Sequence, residues 1–354
     1  MIRRKQAWII ARGLPSATIA RHHVMKRLPN RRLLLGATLI LVAVGVTAWV
    51  LDRYSEDMEA ANARVTAGSQ LAFTDCGPIE YAVAGDGPPV LVVHGSGGGF
   101  DQGLQIAAPL ISAGFSAIAP SRFGYLRTPL PRTSSPVAQA RAHGCLLDAL
   151  GVGEVAVIGV SAGAPSATEF CLLSPQRCSA LILLVPATAI AEPGSEPFKP
   201  TPLRELVIRT SLRSNFLFWA GSRIARGAMI ESVLATPMTD FERASPEEQG
   251  RVLDVLRHIQ PVGPRSRGLW NDMVVTTAPA AVEFESIRTP TLIITTENDG
   301  YGTLIGARSA ARRTPGARLV TYPDGGHVWV GHHSQVWSEV ERFLLHEPHF
   351  TSAQ

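Results

Sequence analysis

Several motifs that would assign a cofactor are missing from this 354-residue chain. It contains no Cys-x-x-Cys and no His-x-x-x-His, so the ligand spacing of common zinc sites is absent. It also lacks the Gly-x-x-x-x-Gly-Lys-[Ser/Thr] loop, and no Gly-x-Gly-x-x-Gly opens a helix after a first strand. We therefore expect neither a metal ion nor a nucleotide cofactor.

Cysteine is scarce as well, with four residues in the chain: Cys76, Cys145, Cys171 and Cys178. Cys171 and Cys178 bracket a short loop and are candidates for a disulfide if the domain is exported. The preferred interpretation is that all four are small buried thiols. The sequence leaves both possibilities open.

Acidic residues are absent from residues 1–32, which hold nine basic ones: Arg3, Arg4, Lys5, Arg12, Arg21, Lys26, Arg27, Arg31 and Arg32. The rest of the chain has 24 basic and 29 acidic residues, because the whole has 33 and 29. The pI of about 9.1 is therefore a property of the N-terminus. A nucleic-acid-binding protein spreads its basic residues over a folded face, so we expect no nucleic-acid partner.

The basic tail precedes an uncharged run of nineteen residues, Leu33–Leu51. As a helix this run spans roughly 28 Å, close to the hydrocarbon thickness of a bilayer. The positive-inside rule predicts a basic cytoplasmic tail (1–32), a transmembrane helix or signal anchor (33–51), a linker (52–70) and an extracytoplasmic remainder.

Two alternatives compete with the anchor. The segment Asn30-Arg31-Arg32-Leu33-Leu34 is similar to a twin-arginine export signal, and Ala61-Asn62-Ala63 offers a small-residue cleavage site. A start at Met25 would favour such a cleaved signal. A buried core helix is the third possibility, and the uncompensated basic residues before it argue against it.

The most informative stretch is Val157–Gly163, V-I-G-V-S-A-G. An apolar strand runs into Gly-x-Ser-x-Gly and then into a helical pattern, which is typical of a nucleophile elbow. Gly159 and Gly163 lack the side chains that would clash where strand and helix converge. The turn exposes Ser161 over the sheet edge, beside the N–H groups of a helix N-terminus.

Three further motifs follow the order of one enzyme architecture. Val90–Gly99 is a strand with a glycine-rich loop, Thr291–Asp299 is a strand ending in an acid, and Asp324–His327 reads D-G-G-H. The order is oxyanion loop, Ser, Asp, His. From about Ile79 to Leu345 the chain resembles a bacterial α/β-hydrolase of the esterase, lipase and C–C hydrolase superfamily.

The resemblance implies a mostly parallel eight-stranded sheet with helices on both faces and a cap after the sixth strand. The sequence pattern agrees, because all-apolar strands alternate with helices and this alternation stops between Pro186 and about Ile287. We therefore predict an α/β-hydrolase core at 71–186 and 288–354, and a helical cap at 187–287.

The predicted catalytic triad is Ser161 as nucleophile, His327 as base and Asp299 as the residue that orients the histidine. Glu297 is the fallback for the acid, and Asp324 is expected to cap a local turn. The predicted oxyanion hole uses the N–H groups of Ala162 and Ser96, with that of Gly97 as the next candidate.

Other histidines receive lesser roles. His94 belongs to the loop that positions the oxyanion hole, and His332 and His333 lie where the last helix begins. His143 and His258 fall within helical patterns and are expected at the surface.

For the remaining candidate residues, the sequence does not decide between a role in binding and a role in packing. Arg122 and Tyr125 either face the active-site edge or brace their loop. Apolar cap residues line a pocket or pack the cap's own core: Phe198, Phe216, Phe218, Trp219, Trp270 and Met273.

These residues predict a membrane-anchored or exported serine hydrolase that cleaves a small, apolar carboxylic ester through an acyl-enzyme intermediate. The same triad would also serve a C–C bond hydrolase of dienoate ring-fission products or a cofactor-free haloperoxidase. A catalytically silent binding protein on this fold is the alternative from another class.

Overall fold

The computed structural model describes residues 31–188, 202–276 and 282–346. The predicted cytoplasmic tail before Arg31, the alternative start at Met25 and the cap residue Phe198 lie outside the described residues. Internal contacts divide the chain into two units, residues 1–52 and residues 53–354.

The strands of the described residues form one eight-stranded sheet in the order β1-β2-β4-β3-β5-β6-β7-β8. β2 is antiparallel to both β1 and β4, and the other neighbouring strands are parallel. The predicted mostly parallel sheet of eight strands is confirmed. The strands are β1 Gln70–Thr74, β2 Gly77–Ala84, β3 Pro89–Val93, β4 Ser116–Pro120, β5 Val155–Val160, β6 Cys178–Leu184, β7 Thr291–Thr296 and β8 Arg318–Tyr322.

The helices of the described residues follow in chain order. They are α1 Arg31–Thr66, α2 Phe100–Ser112, α3 Pro136–Ala149, α4 Ala164–Leu173, α5 Pro202–Ser211, α6 Asn215–Ile224, α7 Arg226–Val233, α8 Met238–Arg243, α9 Pro246–His258, α10 Ser266–Val275, α11 Thr303–Arg313 and α12 His333–His346.

Helices cover both faces of the sheet, and β6 illustrates why its strands are apolar throughout. Leu181 and Leu183 face a cluster that includes residues of α3, α4 and α11. Ile182 and Leu184 point to the opposite face, where α2 and α12 pack. Because successive side chains alternate between two buried faces, every position of β6 is buried.

The described residues between β6 and β7 contain the helices α5–α10 and no strand, and we call this segment the cap. Their apolar side chains form a separate core around Ile230, Val252 and Leu256. α6 and α7 are two separate helices, because Ala225 between them leaves helical geometry. The six-residue α8 was not predicted, since it is too short to show helical periodicity.

The N-terminal apolar run belongs to a longer helix than predicted. α1 continues from Arg31 to Thr66, so most of the predicted linker is helical. Among the residues that the structure describes, Leu34–Thr66 is the one helix long and apolar enough to cross a membrane, a property that a signal sequence shares. Within the larger unit, Met58, Ala61 and Val65 of α1 are buried at helical spacing.

All four cysteines are paired, Cys76 with Cys145 and Cys171 with Cys178. The preferred interpretation as free thiols is therefore wrong. The Cys171–Cys178 pair closes the short loop that the sequence had suggested. The other pair joins the β1–β2 turn to α3 across 69 positions, a separation from which sequence spacing cannot predict contact.

Candidate active site

β5 delivers Ser161 to the carboxyl edge of the sheet in a strained turn. Ser161 has a φ of 49°, a backbone conformation that residues other than glycine rarely adopt. A Cβ on Gly163 would lie 2.4 Å from the carbonyl oxygen of Val93. A Cβ on Gly159 would lie 2.6 Å from that of Ala167. The glycines of the predicted elbow are therefore required by the close approach of strand, loop and helix.

Three predicted residues meet at this edge. His327 Nε2 lies 2.9 Å from the Ser161 hydroxyl oxygen. His327 Nδ1 lies 2.7 Å from Asp299 Oδ2. The histidine follows β8 and the aspartate follows β7, so the parallel strands bring residues 166 positions apart within hydrogen-bond distance.

The surroundings of Asp299 favour its ionised form. Burial opposes its ionisation, but hydrogen bonds from His327, from the Thr303 hydroxyl and from the Tyr301 N–H outweigh burial and lower the pKa of Asp299. An ionised carboxylate next to Nδ1 keeps the proton on that nitrogen. Nε2 is then free to accept the proton of the Ser161 hydroxyl.

The rival acids lie in other contacts. Glu297 pairs with Arg308 at 3.0 Å. Asp324 lies 2.7 Å from His332, which also stacks on Tyr322. The fallback role of Glu297 is therefore not supported by its position.

The remaining histidines divide between buried and cavity positions. His94 is fully buried, and burial together with Arg122 holds its pKa well below 6.5. The prediction of His143 at the surface is wrong. It is buried on α3, 3.3 Å from the Ser166 hydroxyl, and burial lowers its pKa to about 3. His258 is half-buried, and His333 lines the cavity described below.

The glycine-rich loop after β3 packs directly against the nucleophile. A Cβ on Gly95 would lie 3.3 Å from that of Ser161. The Gly95 N–H donates to the Gln102 side chain at 3.1 Å, and the Gly97 N–H donates to the Tyr125 hydroxyl at 3.2 Å. The N–H of Gly97, the second candidate for the oxyanion hole, is therefore already engaged.

A buried cluster of polar side chains braces the loop. Asp272, on cap helix α10, accepts hydrogen bonds from the Ser96 hydroxyl at 2.8 Å and from the Tyr125 hydroxyl at 2.5 Å. Arg122 donates to both oxygens of Asp272, at 2.8 and 2.6 Å. Arg122 also donates to the carbonyl oxygens of His94 and Gly95. Of the two roles predicted for Arg122 and Tyr125, the structure shows bracing.

A second buried ion pair supports the far end of the same loop. Arg265, in the cap, contacts both oxygens of Asp101 on α2, at 3.0 and 2.7 Å, and also donates to the Gly98 carbonyl oxygen. Arg64 of α1 joins the same carboxylate at 3.2 Å. Sequence reasoning missed Asp272, Asp101 and Arg265, since their partners lie about 150 positions away and no local motif marks them.

A cavity of about 440 Å³ opens above Ser161 and His327. Its walls come from the oxyanion loop, from cap helices and from the start of α12. Among the described lining residues, apolar ones predominate: Ile106, Val160, Val185, Leu212, Leu217, Phe218, Met229, Val233, Leu234, Val255, Ile259, Val262, Leu269, Val328, Trp329 and Trp337. The described ranges contain no group of three or more His, Cys, Asp or Glu side chains placed to hold a metal ion.

Known hydrolases match this chain in sequence. A sequence profile of the α/β hydrolase fold matches residues 88–330. An uncharacterized hydrolase, YcgS, of Bacillus subtilis is 30% identical over 271 residues, which cover 73% of this chain and 91% of that protein. A 2-hydroxy-6-oxo-6-phenylhexa-2,4-dienoate hydrolase of Comamonas testosteroni is 29% identical, but the match covers 35% of this chain and 44% of that enzyme.

Solved structures agree on the fold. An α/β hydrolase fold protein from Nakamurella multipartita superposes with a TM-score of 0.66 at 27% identity, covering 78% of this chain and 99% of that one. An esterase from Exiguobacterium antarcticum superposes with a TM-score of 0.58 at 17% identity, covering 77% and 97%. With its profile match, its full-length relative and its eight-stranded sheet, this chain belongs to the α/β hydrolase fold family and is a hydrolase.

Proposed function

We propose that this hydrolase cleaves carboxylic esters with Ser161, His327 and Asp299 as its catalytic triad. The observation that carries the proposal is the continuous relay from Asp299 through His327 to the Ser161 hydroxyl, with heavy-atom distances of 2.7 and 2.9 Å. His327 accepts the serine proton as the hydroxyl oxygen attacks the ester carbonyl, and the alcohol leaves with that proton. A water molecule activated by His327 then releases the acid from the acyl-enzyme.

The developing oxyanion would lie between the N–H groups of Ala162 and Ser96. Ala162 begins the turn after the nucleophile, at the N-terminal end of α4. The Ser96 hydroxyl is fixed by Asp272, so its backbone is held in place without using the N–H. Two preorganised donors in a cavity lined mostly by apolar side chains stabilise the negative charge of the tetrahedral intermediate.

The cavity supports an uncharged acyl substrate. Among the described lining residues, Arg251 carries the one permanent positive charge, and both its Nε and its Nη2 donate to Glu248 at 3.0 Å. Its Nη2 also donates to the Val328 carbonyl oxygen at 2.8 Å. A substrate carboxylate would have to compete with Glu248 for this guanidinium. An apolar ester needs no such exchange.

C–C bond hydrolysis of a dienoate is the second candidate, because hydrolases named for such substrates match part of this chain. The same triad would serve it. The dienoate carries a carboxylate, so the engaged state of Arg251 favours the ester.

A fluorophosphonate probe followed by a substrate panel tests the proposal. We expect labelling at Ser161 and turnover of short p-nitrophenyl esters. Ser161→Ala should remove labelling and lower kcat on the order of 10⁶-fold while the protein stays folded. Ser112→Ala, at an exposed serine of α2, is the matched control and should behave as wild type. Unchanged ester turnover by Ser161→Ala would exclude the triad, and faster turnover of a ring-fission dienoate would assign the second candidate.

We also propose that Leu33–Leu51 remains attached as a membrane anchor, with residues 1–32 in the cytoplasm and the hydrolase outside it. Cleavage at Ala61-Asn62-Ala63 would remove Tyr54 and Asp57, which contact cap residues, and the buried Met58. Intact-mass analysis of the protein extracted from membranes tests this. A mass that begins after Ala63 would instead assign the cleaved signal.

A further inference from the structure

The outer side of α6 carries apolar residues that the cap does not cover. Ile224 is 86% exposed, Leu217 is 55% exposed and Phe216 is 40% exposed. Leu217 and Ile224 are seven positions apart on one helix and therefore share a side. We call Phe216, Leu217 and Ile224 the α6 face. Exposed large apolar side chains gathered on one short helix call for a partner.

The closeness of the α6 face to the proposed membrane anchor indicates what its partner is. The ring of Phe216 lies 5.3 Å from that of Tyr54, and Trp219 packs against Tyr54 at 5.5 Å. Tyr54 follows the apolar run Leu33–Leu51 by three residues, a span of at most about 11 Å of chain. The α6 face therefore lies next to the point where the proposed anchor ends, whatever the orientation of the two units.

The charge around α6 is that of a surface attracted to anionic lipid. Residues 202–230 contain five arginines and one acid, whereas residues 33–354 as a whole carry more acids than bases. Two of these arginines pair with acidic residues. Arg213 before α6 and Arg226 after it are exposed. Apolar side chains flanked by exposed arginines, with the half-buried Tyr54 alongside, are typical of a helix that lies in the interface of a bilayer.

The α6 face also reaches the active-site cavity. Leu217 is more than half exposed and at the same time lines the cavity above Ser161. Ser211 and Leu212, at and just beyond the end of α5, line it beside Leu217. The cavity wall and the exposed surface thus meet on α6.

We propose that the α6 face docks on the anionic surface of the bilayer that holds the anchor, and that the cavity takes its ester substrate from that bilayer. This inference rests on the proposed ester hydrolysis and on the proposed anchor. It assigns the substrate class as lipid-dissolved esters with an apolar acyl chain. Because the anchor holds the cap at the membrane, substrate reaches Ser161 along α6 without crossing water.

A depth measurement tests the docking without using activity. Since all four native cysteines are in disulfides, a single cysteine introduced into the full-length chain can be labelled with an environment-sensitive fluorophore. We compare Ile224→Cys with the control Phe73→Cys, which is 83% exposed on β1, in nanodiscs containing phosphatidylglycerol. We expect blue-shifted emission and quenching by spin-labelled lipid at position 224 and neither at position 73. Equal, water-like emission at both positions would overturn the docking.

A kinetic comparison tests the supply of substrate. Ile224→Glu should lower the rate on a long-chain ester dissolved in the nanodisc about tenfold, the effect of losing one buried apolar side chain. Its rate on a soluble short-chain ester should not change, and the control Ile305→Glu on α11 should leave both rates unchanged. Equal rates of Ile224→Glu and wild type on the lipid-dissolved ester would overturn the inference. Absence of all ester turnover with docking intact would instead overturn only the proposed reaction.

Discussion

Asp272→Asn is the substitution that most directly tests whether the cap holds the oxyanion loop in place. The change keeps the shape of the side chain and removes its charge. The carboxylate is buried and is surrounded by Arg122, Tyr125 and Ser96, all at 2.8 Å or less. An amide cannot accept from all of these donors, and its own N–H₂ would face at least one of them.

The size of the expected stability loss follows from the burial of the Arg122–Asp272 ion pair. Arg122 and Asp272 are both almost completely buried, so the variant leaves a guanidinium inside the protein without a counter-ion. Removal of one partner of a buried pair costs about 3–5 kcal/mol of unfolding free energy. The Ser96 hydroxyl also loses its charged hydrogen-bond acceptor, so the Ser96 N–H, the proposed oxyanion donor, moves. Loss of one such donor lowers kcat about 10²–10³-fold.

Urea unfolding followed by circular dichroism measures the loss of unfolding free energy, and p-nitrophenyl ester kinetics measures the loss of kcat. Asp254→Asn, at a half-exposed aspartate of cap helix α9, is the matched control and should change stability by less than about 0.5 kcal/mol. Should Asp272→Asn fold too poorly for kinetics, Ser96→Ala removes only the hydroxyl contact and should lower kcat with little effect on KM. A wild-type urea midpoint together with a wild-type kcat in Asp272→Asn would refute the bracing role.

Four further outcomes are expected. Asp299→Asn should lower ester kcat about 10⁴-fold with the fold intact, measured at saturating substrate, because the histidine loses its correct tautomer. Gly163→Ala should unfold at lower urea, since its methyl group would meet the Val93 carbonyl oxygen. Replacing both Cys76 and Cys145 by Ser should cost about 2–5 kcal/mol in the same assay. Burial keeps His143 neutral in the folded state down to about pH 3, whereas in the unfolded state it is protonated below about pH 6.5. Lowering the pH from 7 to 5 should therefore reduce the unfolding free energy of wild type by about 2 kcal/mol more than that of His143→Gln, measured by urea unfolding at both pH values.

The sequence predicted those parts of the fold that have a local cause. β7 begins at Thr291 as predicted, because a short run of apolar and β-branched residues between turn signals has few other solutions. The elbow at Ser161 was recognisable because backbone strain requires particular residues at fixed spacing. The three residues of the relay were named for the same reason, since each follows a strand of one parallel sheet.

Long-range polar contacts had no such signal. Asp272 and Arg265 lie on or beside α10, where a charged residue in a helical pattern usually faces solvent. The burial of His143 was missed for a related reason. The apolar periodicity of α3 did not reveal that a polar residue also faces the core. The Cys76–Cys145 pair likewise depends on where a turn meets a helix. Composition and spacing carry no information about these distances.

The contacts that the sequence could not predict connect the cap to the proposed catalytic machinery. Asp272 from the cap neutralises Arg122 of the core, and Arg265 from the cap neutralises Asp101 of the core. The cap thus contributes one acid and one base, and each contacts the loop that carries Ser96. Without Asp272, the core would hold the Arg122 guanidinium without a counter-ion beside that loop, at a cost of several kcal/mol. Without Arg265, the Asp101 carboxylate would keep Arg64 as its remaining partner. Substitutions in α10 should therefore change the chemistry at Ser161 as well as the shape of the cavity.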